Sequence, residues 1–230
     1  MPRGSHNVGV VIAAGGSGTR YGGSIPKQFL SLKGRTVLQR TLEVFESISS
    51  VRQIVVVSSA RHLKRVKRIV TDAGFRKVSA IVPGGKKRQD SVLNGLLAFR
   101  ERPEVVLVHD AVRPLVTKPL ILAVIREAAR HGAALTAVPV TDTIKTEGPK
   151  GFTSSTLDRS KLWAAQTPQG FRYEVLIRAH HRAMKQGIVA TDDASLVERL
   201  GIPVRLVTGS NTNIKLTTRV DWRLAEMWLK

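Results

Sequence analysis

Residues 8 to 29 read VGVVIAAGGSGTRYGGSIPKQF. An apolar run, Val8 to Ala14, leads into Gly15, Gly16, Gly18, Gly22 and Gly23, and the cations Arg20 and Lys27 stand among and beyond them. These residue types suit phosphate binding. Glycine has no Cβ, so its backbone can come close to a ligand, and the N–H groups of such a turn can point at phosphate oxygens. Neither familiar version of the device is present. The dinucleotide pattern G-x-G-x-x-G, counted from Gly16 and Gly18, has Tyr21 at its third glycine. The Walker pattern finds Gly18 and Gly23 correctly spaced but followed by Ser24 and Ile25. The stretch is a phosphate-loop candidate of a third kind, although a plain glycine-rich strand-to-helix turn fits the same residues.

Such a loop needs elements to hold it. VGVVIA (8–13), QIVVVS (53–58), VSAIV (78–82), VVLVHD (105–110) and ALTAVPV (134–140) read as strands, with helical patterns near 36–48, 61–73, 88–101 and 117–131. Thr117 can cap the last helix, with Pro119 in its first turn. Alternation of this kind argues a parallel sheet covered on both faces. Ligands of such sheets sit at the carboxyl ends of the strands, which puts residues 14–20, 84–85, 110–113 and 139–143 along one rim. The pattern breaks at 141–163, where two short alternating segments flank GPKG, a hairpin signal. Helices at 172–186 and 193–200, a strand PVRLV (203–207), a loop GSNTNIKLTT and a helix near 218–229 complete the chain. No repeats and no linker are seen, so one domain with an arm is expected over residues 7–230.

The chain has 230 residues and no cysteine, which excludes a disulfide scaffold, a cysteine-ligated metal and a thiol nucleophile. MPRGSH resembles a tag scar, so residues 1–6 are set aside. No apolar run approaches a membrane span of about 20 residues, and a soluble cytoplasmic protein is expected. The net charge of +20, from 37 Lys+Arg against 17 Asp+Glu, implies attraction to polyanions. A nucleic-acid-binding module is one reading of that charge, but no such motif or basic arm is present. In the densest cationic stretch, RHLKRVKRIV (61–70), Leu63, Val66, Ile69 and Val70 fall at helical spacing, so its cations read as one solvated helix face. A phosphate-bearing small substrate suits the charge better.

AAGGSGTR with PKQF, GGKKRQDSV, LVHDAVRP, PVTDTIK, LDRSKLWAAQTPQGF, ATDDAS and NIKLTT occur in that order. The ordered set closely resembles the 2-C-methyl-D-erythritol 4-phosphate cytidylyltransferases over residues 8 to 230. The resemblance implies a three-layer, Rossmann-like nucleotidyltransferase fold: a mostly parallel twisted sheet, helices on both faces and a protruding β-hairpin arm. It implies transfer of the cytidylyl group of CTP to methylerythritol phosphate with release of pyrophosphate, in the non-mevalonate isoprenoid pathway, with Mg²⁺ as the bridging ion. It further implies a homodimer, because the family's arm crosses to a second subunit. A ribitol-5-phosphate cytidylyltransferase is the near alternative, and WAAQTPQGF leans toward the methylerythritol branch. A sugar-1-phosphate nucleotidyltransferase using UTP or GTP is disfavoured by GGKKRQDS.

The resemblance also implies roles. Arg20, Lys27 and Lys215 are the expected catalytic cations. CTP is expected against Ala13, Ala14, Gly15, Gly16, Gly18, Thr19, Gly84, Gly85, Arg88, Ser91, Asp110 and Ala111, with Asp110 the candidate metal ligand. The acceptor is expected at Arg113, Thr143, Arg159, Thr167, Thr191 and Lys215, with Thr143 and Arg159 serving the partner's site. The GGSGTR loop is one residue longer than in other members, so its backbone contacts could shift by one residue. Lys86, where some relatives carry an acid, is left out of the site. Beside these, Asp90 or Ser91 could simply cap a helix. His109 reads as a packed strand-end residue, Asp192 as a cap, and the three tryptophans as core or interface residues.

Overall fold

The computed structural model describes residues 6–16 and 25–229. Seven strands form the main sheet: β1 (Val8–Ala14), β4 (Val51–Ser58), β5 (Val78–Pro83), β6 (Val105–Asp110), β7 (Ala133–Pro139), β10 (Trp163–Arg172) and β11 (Arg205–Thr208). Their order is β11-β7-β10-β6-β1-β4-β5. All neighbours pair parallel except β10, which runs antiparallel to both β6 and β7. Two short pairs stand outside the sheet: β2 (Ser31–Leu32) with β3 (Arg35–Thr36), and β8 (Lys145–Glu147) with β9 (Thr153–Thr156).

Residue alternation in the strands splits the core in two. Val10, Ile12, Ile54, Val56 and Leu107 face α1 (Val37–Glu46), α2 (Leu63–Asp72) and α4 (Lys118–His131). Val11, Val55, Val57, Val106 and Val108 face α3 (Arg88–Leu97), α5 (Tyr173–Lys185) and α6 (Asp193–Glu198). Successive strand residues point to opposite faces, so a run that is apolar at every position needs cover on both sides. The third layer follows from that. A smaller cluster, with Leu32, Val37, Leu216 and Ala225, seats α7 (Arg219–Trp228) against the β2–β3 corner.

The helices bury stripes at three- and four-residue spacing, such as Val37, Leu38, Thr41, Leu42 and Phe45 in α1. In α2 only Val66 and Val70 are buried, and Lys64, Lys67 and Arg68 stand in solvent as the sequence suggested. Thr36 caps α1 through its side chain, and Thr218 with Asp221 forms a reciprocal capping box on α7. Thr117 stands at the start of α4 without a side-chain capping bond, contrary to expectation, and Pro119 fills the first turn instead.

The largest difference from the sequence reading is β10. WAAQTPQGF carries no strand periodicity, and Pro168 cannot donate to a ladder, so only its flanks suggest structure. The segment spans ten residues, and its pairing to β7 shifts register between Ala165 and Gln169, where the proline sits. The expected hairpin is present as β8 and β9.

Candidate active site

The carboxyl ends of β1, β4, β5 and β6 open on a cleft of about 490 Å³. Ala13, Ala14, Gly15, Gly16, Lys27, Gly84, Gly85, Arg88, Ser91, Asp110, Ala111 and Lys215 all line it, gathered from five separated stretches of chain. Gly18, Thr19 and Arg20 lie outside the described residues.

The loop after β1 is held from behind. Gln28, buried in the PKQF turn, donates through Nε2 to the carbonyls of Ala14 at 2.7 Å and Gly16 at 3.1 Å. A Cβ on Gly15 or Gly16 would meet nothing within 4 Å, so their backbone faces open space at the cleft. The second glycine pair has a different reason. A Cβ on Gly85 would lie 2.3 Å from that of Asp90, and one on Gly84 would lie 2.7 Å from Ser91 Oγ. These glycines let the turn fold tightly onto the start of α3. Ser91 Oγ accepts the Gly85 N–H at 3.1 Å and Asp90 accepts the Lys87 N–H at 3.0 Å, so the capping role and the place in the cleft coexist.

Asp110 is the electrostatic centre. Its carboxylate is 2.9 Å from Lys215 Nζ, 3.8 Å from Arg88 Nε and 3.9 Å from Arg113 Nε. Burial works to raise its pKa, but Lys215, Arg88 and Arg113 together outweigh burial, so the group sits below the usual carboxylate range and is ionised at neutral pH. Arg88 in turn donates to Asp193 Oδ2 at 2.7 Å, and Asp193 Oδ1 is 3.0 Å from His180 Nε2. Burial works to lower the Arg88 pKa, and Asp193 and Asp110 raise it above the ordinary value.

His109 is fully buried, with its ring 5.0 Å from that of Phe45. Desolvation brings its pKa down to about 4, so the ring is neutral. Its Nε2 lies 3.2 Å from the Arg113 carbonyl, which can only accept, so Nε2 carries the proton and Nδ1 accepts from the Thr167 hydroxyl at 3.0 Å. Thr167 Oγ1 also accepts the Asp110 N–H at 3.1 Å. His109 is therefore a packed residue. Thr167, expected at the acceptor, is buried and spends its hydroxyl fixing the end of β6.

The segment before α7 carries one cation into the cleft and touches a second. Leu216 donates its N–H to the Val112 carbonyl, Arg113 Nη1 donates to the Asn213 carbonyl at 2.6 Å, and Asn213 Nδ2 donates to the Thr167 carbonyl at 2.9 Å. This stitching presents Lys215 to Asp110. Lys27 Nζ donates to the Thr217 carbonyl at 3.2 Å, on the same segment. The sequence reading missed Gln28, Ser59, Ala60, Lys87 and Val112, and set aside Lys86, all of which line the cleft. Lys86 and Lys87, directly after the glycine pair, are the signal that could have found two of them. Asp193 and His180 carried none, because their partner Arg88 lies far away in sequence.

Thr143, Arg159 and Thr191 are exposed and off this cleft. Arg159 Nη1 donates to the Thr141 carbonyl at the base of the hairpin. Asp192 caps α6 by accepting the Ser195 N–H, and also accepts from Gln169. Trp163 and Trp228 are over a third exposed. Among the described residues no cluster of three or more His, Asp or Glu could by itself hold a metal. One carboxylate beside a cleft lined by lysines, an arginine and glycines fits magnesium, which is usually held by one or two carboxylates plus substrate phosphates.

The family model of 2-C-methyl-D-erythritol 4-phosphate cytidylyltransferase matches residues 8–230. The chain belongs to that family. The 2-C-methyl-D-erythritol 4-phosphate cytidylyltransferase of Symbiobacterium thermophilum is 49% identical over 97% of this chain and 93% of the relative. Among solved structures, the 4-diphosphocytidyl-2C-methyl-D-erythritol synthase of Anaerococcus prevotii matches with a TM-score of 0.85 at 27% identity, covering 98% of this chain and 96% of that one. The cytidylyltransferase of Thermus thermophilus matches with a TM-score of 0.76 at 35% identity, covering 96% and 98%. The chain is a nucleotidyltransferase with the α/β fold of these cytidylyltransferases. No helix among the described residues is long and apolar enough to cross a membrane.

Proposed function

We propose that the cleft around Asp110 joins CTP to 2-C-methyl-D-erythritol 4-phosphate, giving 4-diphosphocytidyl-2-C-methyl-D-erythritol and pyrophosphate. The observation that carries this reading is the convergence of Lys27, Arg88 and Lys215 with the open backbone of Gly15 and Gly16 on one cleft. A phosphate oxygen of the acceptor attacks the α-phosphorus of CTP in line. The new P–O bond forms as the bond to the pyrophosphate oxygen breaks, and that oxygen leaves with the electron pair. The attacking phosphate is already an anion at neutral pH, so no general base is required, which agrees with a neutral, buried His109.

The chain's own work is positioning and charge stabilisation. Lys27 holds the α-phosphate and offsets the charge that grows there. Arg20 acts on the β- and γ-phosphates. Gly84, Gly85, Arg88 and Ser91 form the base and ribose pocket. Arg113, Thr167, Thr191 and Lys215 serve the acceptor side, Thr167 by fixing the backbone under Asp110. Magnesium would be held by Asp110 and the triphosphate, and would supply neutralisation of phosphate charge. The exposed arm, with Thr143 and Arg159 at its ends, completes the site of a second subunit in a homodimer with composite sites. The enzyme works as one domain in the cytoplasm, where the absence of cysteine suits a reducing compartment.

The test is pyrophosphate release with Mg²⁺, pairing CTP or the other nucleoside triphosphates with methylerythritol phosphate or ribitol 5-phosphate. Turnover is expected only with CTP and methylerythritol phosphate. Turnover with ribitol 5-phosphate would move the acceptor assignment, and silence from every pair in a folded protein would overturn it.

A further inference from the structure

Three of the four strands that end at the first cleft begin at another one. At the amino edge of β1, β4 and β5 lies a second cleft of about 610 Å³. It is separated from the first by the length of β1, seven residues, or about 20 Å at ~3.3 Å per residue. Arg52, Arg76, Lys77 and Arg100 line it, against one acid, Glu101. Arg52 stands near the start of β4, Arg76 and Lys77 close the turn before β5, and Arg100 follows α3.

The backbone carrying these cations is anchored without their guanidiniums. Glu46 accepts the N–H groups of Arg76 at 2.9 Å and Lys77 at 3.2 Å. Gln53 accepts the Arg100 N–H at 3.0 Å and donates to the Glu101 carbonyl at 2.9 Å. Among the described residues, Arg52, Arg76 and Arg100 have no ion pair and no side-chain hydrogen bond. The Lys77 ammonium donates to the Ile48 carbonyl at 2.6 Å. Its pKa lies below the ordinary lysine value, first through burial and then, against the pull of Glu46, through repulsion by Arg52 and Lys118. The wall of the cleft also holds Asn7, whose Oδ1 is buried with no hydrogen-bond partner.

We propose that this second cleft binds a small polyphosphate anion, of the inorganic diphosphate to nucleoside triphosphate class, at a site separate from the catalytic one. Guanidinium forks match phosphate oxygens in bidentate fashion. Three of them around one concavity suit a ligand with several adjacent charges. The cations surround a concavity instead of running along a face, which favours a small anion over a nucleic-acid strand. The inference stands whichever reaction the first cleft performs.

Calorimetric titration of the full chain with inorganic pyrophosphate tests it. Two sites per chain are expected in the wild type and one in the combined Arg52→Ala, Arg76→Ala, Arg100→Ala variant, whose cytidylyl transfer should match wild type. A single site in both proteins overturns the proposal. The Lys27→Ala chain should keep the second site, and loss of all binding there would assign every site to the catalytic cleft. Arg76→Glu alone, which leaves the Glu46 anchor to the backbone intact, should weaken the second site at least about tenfold with an unchanged melting temperature. Unchanged affinity in that variant overturns the proposal even if the triple variant does not fold. A single-stranded RNA oligomer that loses affinity for Arg76→Glu, while pyrophosphate does not, would overturn it in favour of a nucleic-acid surface.

Discussion

Arg88 owes its position to Asp193, 105 residues away in the chain. Asp193 is fully buried, and burial works to raise its pKa, yet Arg88 and His180 together hold it below the ordinary carboxylate range. A carboxylate that deep is tolerable only with such partners, and removing one charge of a buried pair costs about 3–5 kcal/mol. Asp193→Asn keeps the side-chain shape and removes the charge. We expect urea unfolding to show a loss on the order of 3 kcal/mol, and the folded enzyme to show a raised KM for CTP with kcat far less affected. An unchanged KM would mean that Arg88 reaches the nucleotide without Asp193.

At the scale of elements, β10 and the arm before it decide how the site is finished. β10 enters antiparallel between β6 and β7, and so places Thr167 against the backbone of Asp110. The β8–β9 hairpin projects from this strand with almost every residue from 141 to 165 exposed, and Phe152 is 73% exposed. A two-stranded hairpin alone is at best marginally stable in water, which favours a covering partner. If that partner is a second copy whose site receives Arg159, two defects should complement. Lys27→Ala and Arg159→Ala homodimers should each lose about 10²-fold in rate, the scale for removing one charge stabiliser. Mixed dimers should recover part of the activity, because one of their two sites is intact. Absence of recovery in mixtures shown by sedimentation to be dimeric would argue against shared sites.

For the whole molecule, the buried ionisable groups set how stability depends on pH. The His109 pKa is lowered from 6.5 to about 4 by burial, so the folded state resists the proton that the unfolded chain takes up. Stability from this group is present above the unfolded value near 6.5 and is lost as the pH falls toward 4. The total is on the order of 3 kcal/mol at 1.36 kcal/mol per unit. His62, also lowered by burial and by Arg61 and Arg65, adds in the same direction. Asp110 and Asp193, both lowered, hold their contribution until the pH drops through their own depressed values. Urea midpoints should therefore fall between pH 6.5 and 5, and a His109→Asn variant should show a shallower slope. An identical slope would place the titration elsewhere.

Apolar runs at 8–14, 53–58 and 105–110, separated by helical stripes, already dictate a covered parallel sheet, because a strand apolar at every position must be buried on both faces. Once that sheet exists, its carboxyl rim gathers Gly84, Gly85 and Asp110 on the cleft, and their place was legible for that reason, whereas Arg88 and the role of Lys27 came only with the family resemblance. Chain direction and long-range pairing were not. The antiparallel insertion of β10 leaves no periodicity in WAAQTPQGF. The bond from Asp193 to Arg88 joins two stretches that local pattern cannot relate, and the cationic cleft at the amino edge forms only when the starts of three strands are brought side by side. The layers and the arm follow from local periodicity, and the candidate phosphate loop from residue type, so they can be read along the chain. Which charges neutralise one another and which stay unpaired depends on distances across the fold, and that emerges only in three dimensions.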